Sequence, residues 1–134
     1  MKYAIRYYSK SGNTEKLAQV ASQVLDIPAL DITNPLEEDV DILFFGSGVY
    51  GCALDPAVIS FFDNIGVKVS SLVNFSTAGM MESNYNFMKH IISATDIILS
   101  EKEFHCPGSF VGLNKDRPND TDLEEFRKFV EDFL

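Results

Sequence analysis

The stretch YYSKSGNTEKL, residues 7–17, decides how the rest of the chain is read. It closes an aromatic and β-branched run over 2–8, a strand pattern, and opens a helical pattern over 14–25 that places Leu17, Ala18, Ala21, Val24 and Leu25 on one side. Between the two lies a turn with one glycine, Gly12, and a hydroxyl at each of Ser9, Ser11 and Thr14. Backbone N–H groups at a helix start point outward, and the helix dipole adds about half a positive charge there. A phosphate fits such a turn. The lysine-serine ending of a P-loop is missing, so a monoester phosphate held by neutral donors suits it better than a nucleoside triphosphate. The competing reading is a capped, serine-rich turn that binds nothing.

Further strands are expected at 27–32, 41–46, 68–75 and 97–104, separated by helices at 55–65 and 84–94. The first of these helices buries Val58, Ile59, Phe61 and Phe62, and the second supplies Phe87, Met88, Ile91 and Ile92. A last helix starts with Thr121 and Glu124 as a capping box, with Leu123, Phe126, Phe129, Val130 and Phe133 as its apolar stripe. Alternation of strands and helices, with continuous apolar strands, implies a parallel sheet covered on both faces within one domain, 1–134. Two connections break the rhythm. TNPLEEDV (33–40) is short for a crossover, and HCPGSFVGLNKDRPND (105–120) is long for a loop.

The run DILFFGSGVYGCALDP (41–56) spells G-x-G-x-x-G after a strand, the dinucleotide pattern. That fingerprint needs a helix to open at the third glycine and an acidic residue about 20 positions on. Here the helix start waits for Asp55 as N-cap and Pro56 as first helical residue, and the region KVSSLVNFST offers no carboxylate. The glycines need another explanation.

Composition narrows the function classes. No apolar run approaches the roughly 18 residues of a spanning helix, and MKYAIRYYSK reads as a strand rather than a signal peptide, so the expectation is a cytoplasmic protein. Cys52 and Cys106 stand in no metal or redox spacing and read as free thiols. A net charge of −9 argues against nucleic acid and anionic membranes as partners.

The turn SKSGNT at 9–14 matches in full the S/T-x-S/T-G-x-T phosphate loop of flavodoxins, and the resemblance extends over the whole chain, in the short, clostridial form. It implies a three-layer α/β sandwich with a five-stranded parallel sheet of order 2-1-3-4-5. It also implies FMN, with Ser9, Lys10, Ser11, Gly12, Asn13 and Thr14 around the phosphate. GSGVYG resembles the first flavin loop: Gly48, Val49, Tyr50, Gly51 and Cys52 would lie along the ring, Tyr50 covering it and the Gly51–Cys52 peptide next to flavin N5. Such glycines let backbone approach a flat ring edge without any helix start. FSTAGMMES resembles the second loop, with Ser76, Thr77, Ala78 and Gly79 at the pyrimidine end, Met80 at the outer stacking position, Glu82 in the same loop and Tyr85 able to swing over instead. Flavodoxins commonly place tryptophan or tyrosine where Met80 stands, and this chain has no tryptophan.

The resemblance implies a monomeric electron carrier that docks redox proteins transiently at its flavin rim, where Glu82, Glu101 and Glu103 would make a negative border. An FMN oxidoreductase acting on a quinone, nitro compound or porphyrinogen is the alternative. For it, His105 and Arg117 are the groups in the 105–120 loop that could serve an acidic substrate, although a lone histidine beside a strand end is more often structural. A flavodoxin-like activator of ribonucleotide reductase is a lesser option, and a module that has lost its flavin is opposed by the full hydroxyl set at 9, 11 and 14. A receiver domain would need an aspartate where Gly46 and Ser47 stand, and a low-molecular-weight phosphatase would need C-x5-R; neither is present.

Overall fold

The structure is a computed structural model, and it describes residues 1–48, 55–79, 83–109 and 114–134. In chain order the elements are β1 (Tyr3–Tyr8), α1 (Asn13–Leu25), β2 (Ala29–Asp31), β3 (Val40–Gly48), α2 (Pro56–Asp63), β4 (Val69–Ala78), α3 (Tyr85–Ile92), β5 (Ile98–Leu99), β6 (Phe104–Pro107) and α4 (Asp120–Glu131). The strands pair in parallel in the order β2-β1-β3-β4-β5, with β6 also on β4. This is the flavodoxin-like sandwich that the sequence predicts.

Side chains alternate along the central strands, and the two faces become two cores. Phe44, Val73 and Phe75 join Leu17, Ala18 and Ala21 of α1 and Phe126 and Val130 of α4; Leu43, Phe45 and Leu72 join Val58 and Phe62 of α2 and Met88 and Ile92 of α3. Phe126 anchors the first core, its ring 4.9 Å from that of Phe75 and 5.0 Å from that of Phe104. Burying such a ring contributes about 1.5–3 kcal/mol. Ile59 and Phe87, expected inside, lie on the outer sides of α2 and α3 and are exposed. Each of those helices is only eight residues long and buries a narrow stripe: Val58 with Phe62, and Met88 with Ile92.

Several boundaries differ from the sequence reading for identifiable reasons. The expected 27–32 strand shrinks to Ala29–Asp31. The two central strands run past their expected ends, because Ser47 and Gly48 of β3 pair with Ser76 and Thr77 of β4. The single strand expected at 97–104 is interrupted: Leu99 pairs with Leu72 and Phe104 with Phe75, so five steps on the edge strand match three on β4 and two residues bulge out. The capping box of α4 is made by Asn119 and Asp122, not Thr121 and Glu124, since Asn119 takes the extended N-cap conformation and its side chain accepts the Asp122 N–H.

Arg6 explains how the short 33–40 connection stays in place. Its guanidinium, largely buried, donates to the carbonyls of Asn34 and Pro35 at 2.8 and 3.2 Å. No helix among the described residues is long and apolar enough to cross a membrane.

Candidate functional site

The carboxyl ends of β1, β3 and β4 converge on the start of α1, the region where ligands lie in open parallel sheets. Gly12 occupies the N-cap of α1 with φ of 88°, and no side chain caps that helix. Only glycine adopts this left-handed geometry without strain. A Cβ built there would meet nothing within 4 Å, so the loop borders open space. Ser9 shapes the turn, its hydroxyl accepting the Gly12 N–H at 3.0 Å. Ser11 is exposed beside it. A 13-residue helix whose first turn lacks a cap, flanked by two hydroxyls, presents donors suited to a phosphate monoester.

The other residues expected around that phosphate have partners in the fold. Thr14 is fully buried, and its hydroxyl meets that of Thr77 at 2.8 Å. The Asn13 side-chain amide donates to the Ser109 carbonyl at 3.0 Å. Lys10 reaches Asp55 at 3.3 Å. Asp55 does cap α2, accepting the Ala57 N–H, and it also accepts the Tyr8 hydroxyl at 2.9 Å. These donors, with Lys10 beside them, hold its carboxyl below the usual carboxylate range. Lys10, in the turn before α1, and the α2 cap are therefore joined.

On the sheet, Gly48 ends β3, while Ser76, Thr77 and Ala78 continue β4 rather than leaving it, and Gly79 follows directly. Val49, Tyr50, Gly51, Cys52, Met80 and Glu82 lie outside the described residues. Ser76 is buried, and its hydroxyl lies 2.7 Å from His105 Nδ1. Tyr85 donates to the Ser100 carbonyl at 3.1 Å, just before the edge-strand bulge.

The described residues that flank 110–113 are tied to the end of β4 and to the start of α1. Asn114 donates to the Gly79 and Gly108 carbonyls at 2.5 and 3.3 Å, and Gly108 donates to Ala78 at 2.9 Å. A side chain at Gly108 would crowd the Asn13 amide, 2.8 Å from its Cβ position. Arg117 forms a two-pronged pair with Asp122, at 2.6 and 2.7 Å. That pair, helped by the Asn119 N–H and opposed by burial, lowers the Asp122 pKa. Cys106, on β6, is a free buried thiol pushed up to about 12 by burial and then by the Asp122 charge, and so unreactive.

Sequence reasoning missed the polar layer on the α2–α3 side: Ser47, Asn74 and Asn84 are fully buried there. Its signal was the asparagine in SLVNFST, a polar residue at a core-facing strand position.

No family model matches the chain. Against solved structures, it superposes on a flavodoxin from the domain Archaea with a TM-score of 0.78, covering 98% of this chain and 95% of that one at 15% identity. It likewise superposes on rubredoxin oxygen:oxidoreductase of Desulfovibrio gigas with a TM-score of 0.71 and 13% identity, covering 97% of this chain but 34% of that one. These likenesses define the fold as flavodoxin-like. The chain belongs to the family of the uncharacterized protein MJ0298 of Methanocaldococcus jannaschii, with 32% identity over 148 aligned positions that span 100% of this chain and 99% of that protein.

Proposed function

We propose that the chain is an FMN-binding electron-transfer protein, a short-chain flavodoxin that works in the cytoplasm and docks redox proteins transiently. The observation that carries this reading is the uncapped start of α1 at left-handed Gly12, with the Ser9 and Ser11 hydroxyls beside it. FMN, when bound, supplies one-electron redox chemistry. The chain's part is to hold the phosphate at the α1 amides, to present backbone from the ends of β3 and β4 to the ring, and to exclude water beneath it. Among the described residues, the two groups considered for an acidic substrate have structural partners: Arg117 is paired with Asp122, and His105 with Ser76. This supports the carrier over the oxidoreductase.

Titration of the purified protein with FMN and with riboflavin tests the reading. FMN is expected to bind at least a hundredfold tighter, because charge-assisted bonds contribute about 1.5–3 kcal/mol each. Ser11→Ala should weaken FMN by about tenfold and leave riboflavin unchanged, since Ser11 is exposed and riboflavin carries no phosphate for its hydroxyl to hold. Thr14→Ala is the poorer probe, for it also strands the buried Thr77 hydroxyl. Equal affinity for both ligands would place the phosphate elsewhere, and rapid NAD(P)H oxidation with a small acceptor would favour the enzyme.

A further inference from the structure

The layer formed by Ser47, Asn74, Asn84, Ser83 and Glu103 sits where an apolar core would be expected, between the sheet and the start of α3. Asn84 is its centre. Its amide donates to the Ser47 hydroxyl at 2.6 Å, and its carbonyl oxygen accepts from the Asn74 amide at 2.8 Å. Glu103 extends the layer, accepting from Ser83 at 2.5 Å and from Asn74 at 3.4 Å. The two-residue bulge of the edge strand immediately precedes Glu103.

Two features argue that the layer is not there for stability. Asn74 Oδ1 is buried without a protein partner among the described residues, an arrangement that costs stability relative to an apolar core. Asn84, moreover, stands at the N-cap of α3, a position where asparagine ordinarily turns its side chain onto its own helix. Here it makes no cap bond; Ser83 accepts the Tyr85 N–H instead, and the Asn84 side chain crosses to β3. Ser47 is the penultimate residue of β3, directly before the first loop that the function reading assigns to the ring. Ser83 and Asn84 are the first described residues after the second.

We propose that Asn84 is a positioning residue that locks the stems of the two ring-holding loops to each other, so that both loops present one fixed site. The inference rests on the flavin reading for its purpose, but its mechanical part does not. Mutating Asn84→Ala should release both stems in the ligand-free protein: amide hydrogen exchange at 46–48 and at 76–79 should rise about tenfold or more relative to β1. Exchange that rises only at 83–88 would make Asn84 a helix cap and overturn the proposal. Ser47→Ala removes only the far end of the link and keeps the core volume, so it carries the same test if Asn84→Ala fails to fold.

With flavin present, loosened stems should weaken FMN and riboflavin by the same factor, about tenfold, and shift the flavin reduction potential, whereas Ser11→Ala acts on FMN alone. Unchanged affinities and potential in a variant that is merely less stable would also overturn the proposal. If the wild-type protein takes up neither ligand, the function reading falls, and the exchange result still decides whether Asn84 links the stems.

Discussion

Gly46 owes its identity to packing. A Cβ built on it would stand 2.1 Å from the ring of Phe75, its partner across the β3–β4 pair. Gly46→Ala should therefore destabilise the fold by about 3 kcal/mol, near the top of the range for overpacking. A smaller side chain opposite, in Gly46→Ala combined with Phe75→Leu, should cost less than the sum of the two single changes. Urea unfolding of the four proteins measures this, and additive losses would mean that the ring is not what the glycine accommodates. The G-x-G-x-x-G pattern thus joins residues of different purpose. Its first glycine serves the core, while Gly48 ends a strand.

At the scale of elements, α4 is fixed by groups that titrate. Asp122 closes the capping box and pairs with Arg117, and its pKa is lowered in the folded state. A lowered folded pKa means stability that is fully present above the unfolded value of about 3.9 and is lost as pH falls through the folded one. The stability difference between wild type and Asp122→Asn should accordingly be level above about pH 5 and close on further acidification. A difference independent of pH down to the acid transition would show that the charge contributes nothing.

The same helix shows what can be read from sequence. Its stripe was legible because Phe126 and Val130 recur at helical spacing, and α1 was legible through Leu17, Ala18 and Ala21. The cap was not, because Asn119, Thr121, Asp122 and Glu124 offer two boxes, and only backbone conformation chooses between them. The turn before α1 was legible as a turn because Ser9, Ser11 and Gly12 are nearly contiguous in the chain. The Asn13–Ser109, Thr14–Thr77 and Ser47–Asn84 contacts join residues 96, 63 and 37 positions apart, and nothing local announces them.

For the whole molecule, the excess of Asp and Glu gives a net charge of −9. Glu101 is exposed on the edge-strand bulge, whereas Glu103, expected on the same rim, turns in toward Ser83 and Asn74. On the proposed carrier reading, electron transfer to a basic partner protein should slow as salt rises from low to physiological strength, because the Debye length shortens to about 8 Å at 0.15 M. Stopped-flow rates independent of ionic strength would remove electrostatic docking from the account.

The interrupted edge also bears on how the protein behaves when crowded. A long apolar strand with open N–H and C=O groups is a template for pairing with a neighbour's backbone, the first step toward aggregation. Here the nine- and ten-residue strands β3 and β4 lie inside the sheet, while its borders are segments of three, two and four residues. Excising Glu101 and Lys102 would fuse β5 and β6 into one unbroken border beside β4. Light scattering of that variant at high concentration should show self-association that the parent avoids, so the two extra residues that bring Glu103 to its place would also keep the sheet from growing beyond its own chain.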